Sequence, residues 1–107
     1  MVTFKAKNGK EYKLGFTRET AKEAERKGVN IIDGFDNAPM NTIEMLYIMA
    51  FQANHPQLEY EKRLKIIGDL ENKTELVKVL GEEFAKTFNT LMSEPDEKNA
   101  VKWEVTE

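Results

Sequence analysis

Cysteine is absent from this 107-residue chain, which removes disulfides, thiolate metal ligands and cysteine nucleophiles at once. Histidine occurs once, as His55. A metal site built on it would need carboxylates that no spacing gathers, and Asn54-His55-Pro56 falls at an expected helix end, where an imidazole is stabilised beside the last carbonyls. Gly-rich phosphate loops, nucleophile elbows and zinc-type spacings are missing too. No apolar run approaches the ~20 residues that cross a bilayer. The opening Met-Val-Thr-Phe-Lys lacks the apolar stretch and small-residue cleavage site of a secretory leader. These absences favour a soluble cytoplasmic protein with no enzyme chemistry, no cofactor and no membrane partner.

Basic residues are also missing from one long stretch, Gly28 to Glu61. Residues 1 to 27 carry eight Lys/Arg against four Glu, a net of +4, whereas residues 28 to 107 carry eight against fifteen acids, a net of −7. Such polarity lets two halves of one domain attract each other, or steers an acidic partner to the N-terminal face. A nucleic acid is disfavoured. Lys5, Lys7, Lys10 and Lys13 would have to track phosphates while Tyr12 and Phe16 stack on bases, yet those aromatics alternate onto the face a hairpin must bury.

What is present is ordinary for a globular domain: 40% apolar and 33% charged residues, enough for one core in a single domain spanning 1–107. Val2, Phe4 and Ala6 alternate with polar residues, as do Tyr12, Leu14 and Phe16 after Asn8-Gly9, the signature of a hairpin. A two-residue Asn8-Gly9 loop would put the two apolar sets on opposite faces. A three-residue Lys7-Asn8-Gly9 loop with Gly9 left-handed pairs Phe4 with Tyr12, Val2 with Leu14 and Lys5 with Glu11, so the bulged turn is expected.

Four helices follow in the pattern. Thr17 caps the first, which closes at Arg26-Lys27-Gly28, and its thin apolar side, Ala21 and Ala24, implies close packing against the sheet. Val29 to Met40 reads as a loop anchored by Ile31, Ile32 and Phe35. Asn41 with Glu44 reads as a capping box for a second helix stopped by Pro56. A third runs from Glu59 to about Leu70. Asn72 with Glu75 opens a fourth, to about Met92, with a core stripe of Leu76, Val77, Leu80, Phe84, Phe88 and Leu91. Gly81 beside that stripe suggests a close helix crossing. After the acidic Ser93–Asn99 loop, Val101, Trp103 and Val105 alternate with polar residues as a strand expected to join the hairpin. The expected class is α+β: an N-terminal β-hairpin plus a C-terminal strand in a small antiparallel sheet, packed with about four α-helices.

The most unusual segment is Met40–His55, which holds three of the five methionines and one charged side chain, Glu44. A helix this apolar on most sides is either a central core helix or a core helix with one face offered to a partner. Methionine suits adaptable docking surfaces, so Met40, Met45, Ile48, Met49 and Phe51 are the candidate partner-binding residues.

The strings Tyr12–Gly28, Met45–Pro56, the acidic helix ending Leu91-Met92 and the closing Asn99–Val105 resemble small tail assembly chaperone-like proteins of siphophages and prophages of Gram-positive bacteria. The resemblance covers nearly the whole chain and rests on element order and short strings such as Phe16-Thr17-Arg18, Glu25-Arg26-Lys27-Gly28 and His55-Pro56. It implies a non-enzymatic protein that binds the tape measure protein in the host cytoplasm. There it helps tail tube protein assemble around that partner, and it is absent from the finished virion. The alternatives are a small self-associating regulatory or structural module, a homo-oligomer in which the same face is buried, or, less favoured, a nucleic-acid-binding accessory protein.

Overall fold

A computed structural model describes residues 1–106. Strands β1 (Val2–Lys5) and β2 (Glu11–Leu14) pair antiparallel with Phe4 opposite Tyr12 and Val2 opposite Leu14, the register expected from burial. Gly9 takes the left-handed conformation at φ 82°, and the Ala6 N–H to Lys10 carbonyl bond closes the turn. Alternation then does what it must: Tyr12 and Leu14 are buried, while Glu11 and Lys13 are exposed.

Helix α1 (Arg18–Arg26) begins at Thr17, whose hydroxyl accepts from the Thr20 N–H while Thr20 returns the bond to the Thr17 N–H. It ends where Gly28 adopts φ 108° and the Val29 N–H reaches back to the Ala24 carbonyl, as a left-handed C-terminal glycine allows. Ala21 and Ala24 are buried, but they pack against helices α3 (Pro39–Ala50) and α5 (Lys73–Asn89) rather than against the sheet. The small side chains let helix approach helix.

Between α1 and α3, the expected loop carries one short turn of helix, α2 (Gly34–Asn37). Helix α4 (Tyr60–Gly68) completes the set. Helix α3 touches α1, α2, α4 and α5, which explains why it needs no polar face. Leu46, Tyr47, Ile48, Met49 and Ala50 are all buried, as is Phe51 at its end. Leu46, Ile48, Met49 and Phe51 each contribute about 1.5–3 kcal/mol by leaving water.

Two capping expectations are corrected. Helix α3 starts at Pro39, a residue preset for the first helical position, so Asn41 lies inside the helix and makes no cap. Asn72 does precede α5, but it sits at φ 52° and its side chain caps nothing. Nor does Gly81 mark a close crossing: a methyl group added there would meet open space.

The largest correction concerns the C-terminus. Among the described residues the sheet has two strands, and 101–106 join neither. Val101, Trp103 and Val105 are each more than 80% exposed. The chain is long, 57 Å by 31 Å by 25 Å with a radius of gyration of 16.6 Å, against about 13 Å for a compact chain of this length.

Candidate partner-binding surface

The end of α3 is locked, and the lock is a single arginine. Arg63, 1% exposed, donates from Nε to the Leu58 carbonyl (2.8 Å), from Nη1 to the Ile48 carbonyl (2.9 Å), and from Nη2 to the carbonyls of Pro56 (3.1 Å) and His55 (3.4 Å). Its guanidinium also lies 4.9 Å from the centre of the Tyr60 ring, within cation–π range. A helix end leaves carbonyls without partners, and a planar fork of five donors suits several of them together. Burial lowers the Arg63 pKa, opposed by Tyr60 and Glu23.

His55 extends the lock to the hairpin. Its Nε2 accepts from the Lys13 N–H at 3.0 Å, and the Asn54 amide donates to the Lys13 carbonyl at 3.3 Å. The outer edge of β2 is therefore covered by the segment after α3. An accepting nitrogen requires neutral imidazole, and burial, helped by the charge of Arg63, lowers the pKa of His55. His55 thus sits at the helix end as expected and there acts as a neutral acceptor for the hairpin.

This architecture decides the fate of the sequence candidates. Ile48, Met49 and Phe51 are buried and Met45 is half-buried, with the Met49 sulfur 3.9 Å from the Tyr60 hydroxyl. Met40 alone stands open, 83% exposed on the first turn of α3. Five residues expected to form one face are divided between core and solvent. The expectation ran ahead of α4, which lies against α3 and covers it.

Open apolar surface lies elsewhere, at the far end of the α5 stripe. Leu76, Leu80 and Phe84 are buried, but Phe88 is 51% and Leu91 59% exposed, and Met92 follows at 72%. Periodicity placed Phe88 and Leu91 in the core stripe, yet the core ends one turn earlier. Beside them Val29, Ile31 and Ile32 line a groove of about 380 Å³ with Phe84 and Phe88, and Glu25 stands at its rim. Arg18 donates to the Thr90 hydroxyl at 3.3 Å, tying the end of α5 to the start of α1.

No group of three or more metal-ligating side chains converges among the described residues, and no described helix is long and apolar enough to cross a membrane. Tyr12 and Phe16 are buried, so neither offers a base-stacking platform.

A family comparison places the chain. It belongs to the DUF5055 family, described as a domain of unknown function, whose profile spans residues 1–106. Neither a curated protein nor a solved structure matches it. The family match takes in both the groove beside α5 and the exposed tail.

Proposed function

We infer that the chain is a non-enzymatic binding protein of the tail assembly chaperone type, holding a long apolar-faced helical partner such as a tape measure protein. The observation that carries this reading is the apolar surface left open at the end of α5: Phe88, Leu91 and Met92, with Phe88 also lining the groove that Ile31 and Ile32 share. Contiguous exposed apolar surface bordered by charge marks protein-binding sites more often than chance. A groove between two elements suits an amphipathic helix laid along it. A long partner offers many such segments, so weak single contacts add up along its length. The resemblance in the sequence supplies the partner class, and the docking residues shift from the α3 face to the end of α5.

The test is co-expression with the tape measure protein of the same genome. The wild-type chain should keep that protein soluble and purify with it. Leu91→Glu/Met92→Glu should lose the complex with unchanged helix content, because both side chains are already exposed. Equal recovery with the double variant would move the docking site elsewhere, and an insoluble tape measure protein beside the wild-type chain would overturn the chaperone reading.

A further inference from the structure

The hairpin leaves one sheet edge open, and the chain itself carries a strand suited to it. Lys13 turns its N–H and carbonyl outward, to His55 and Asn54. Thr3 lies directly opposite Lys13 in the pairing. Alternate residues of an antiparallel pair share this orientation, so Thr3 and Lys5 turn their backbone groups away from β2. No element besides β2 packs extensively on β1, and neither Thr3 nor Lys5 makes a backbone bond outside the hairpin among the described residues. One edge of the sheet is thus covered while the other is an open template.

The tail has matching properties. Val101, Trp103 and Val105 alternate with Lys102, Glu104 and Thr106, and all six are exposed and unpaired among the described residues. In line with β1, the apolar set would extend the face of Val2 and Phe4. A groove of about 350 Å³ beside the hairpin has Ala6, Tyr12, Leu58 and Ile66 in its lining, but most of its lining is polar, with four lysines among it. The polar set would lie beside Thr3 and Lys5. Charge agrees: the hairpin carries Lys5, Lys7, Lys10 and Lys13 against Glu11, while Ser93–Thr106 carries Glu94, Asp96, Glu97 and Glu104 against Lys98 and Lys102.

We propose that the Val101–Val105 segment of one copy adds as a strand to the open β1 edge of a second copy, reciprocally, giving a two-fold dimer by strand exchange. The tail neither pairs with nor packs on its own hairpin, since Val101, Trp103 and Val105 are each more than 80% exposed and join no strand, and the fourteen residues from Ser93 to Thr106 could reach about 45 Å if fully extended, enough to bridge two molecules. Reciprocity uses both open edges and both tails and closes the assembly. This proposal stands independently of the chaperone reading, since it involves neither the α5 groove nor any second protein.

Sedimentation of the 107-residue chain tests it, together with cysteines engineered into a sequence that has none. Wild-type chain should dimerise. Thr3→Pro removes only an outward N–H, as an edge strand tolerates, and should weaken the dimer about tenfold or more. Val101→Ser/Trp103→Ser/Val105→Ser should do the same without touching the monomer's core, and decides the matter should Thr3→Pro disturb the hairpin. Thr3→Cys chains mixed with Glu104→Cys chains should give a disulfide-linked pair. A monomer at every concentration, a dimer indifferent to the tail substitutions, or closure of a Thr3→Cys/Glu104→Cys chain only on itself would overturn the proposal.

Discussion

Helices α3 and α5 invite opposite judgements from their sequences and have opposite fates in the fold. Helix α3 looks like a docking surface because it is apolar nearly all round, and it is packed against four other helices. Helix α5 has the clean stripe of a core helix, and its last turn leaves the core with the apolar side chains still in line. Hydrophobicity on many sides reports how many neighbours a helix has. Open surface is decided by where those neighbours end.

Substitutions sharpen this contrast, the largest effect first. Phe51→Ala or Met49→Ala should cost about 2–5 kcal/mol in urea unfolding, because each empties a buried site. Phe88→Ala, by contrast, should cost well under about 1.5 kcal/mol, since half its surface already faces water. Equal losses at the two ends would erase the distinction. Arg63→Met should cost about 3 kcal/mol by removing four hydrogen bonds and leaving the Leu58 and Pro56 carbonyls without another donor, while those of Ile48 and His55 keep the Phe51 and Leu58 N–H groups. Arg63→Lys should recover only part of this, because a point charge cannot span them.

Glycine positions give effects of opposite sign. Gly34→Ala should destabilise, since its new methyl would lie 2.5 Å from the Thr42 hydroxyl. At Gly81 a methyl meets nothing, so Gly81→Ala should raise stability by about 1 kcal/mol through helix propensity. Thermal melting of the two variants separates a glycine that permits contact from one that does not.

The smallest effect is a pH dependence. His55 has a folded-state pKa below its ordinary value of 6.5, so the folded chain prefers the neutral ring. Its stabilising contribution is fully present above pH 6.5 and fades as pH falls below that value, through the lower folded pKa. His55→Gln, which keeps an acceptor for the Lys13 N–H without titrating, should flatten that part of the stability curve in denaturation series from pH 7.5 to 5.

Much of this was legible in the residues. The hairpin register followed from requiring Phe4 and Tyr12 on one face, and both ends of α1 from Thr17 and Gly28. The central place of α3 was one of the two readings its composition allowed. The lock was not legible: Arg63 reads as one more charge on a polar helix, and nothing local says that four carbonyls converge on it. Nor did alternation reveal that Val101–Val105 would stay unpaired, because a period of two reports which face a strand would bury and not whether an edge waits for it. The candidate surface moved for a related reason, since burial of Ile48 and Met49 depends on the docking of α4, a contact remote from their own segment.

Methionine oxidation tests most directly where the open apolar surface lies and what covers it. All five methionines can be followed by peptide mass analysis after brief peroxide treatment, with no cysteine to compete. On this account Met40 and Met92 oxidise quickly and Met49 slowly in the isolated chain, and co-expressed tape measure protein protects Met92 while leaving Met40 reactive. Rapid oxidation of Met49, or protection of Met40 with Met92 still open, would contradict it.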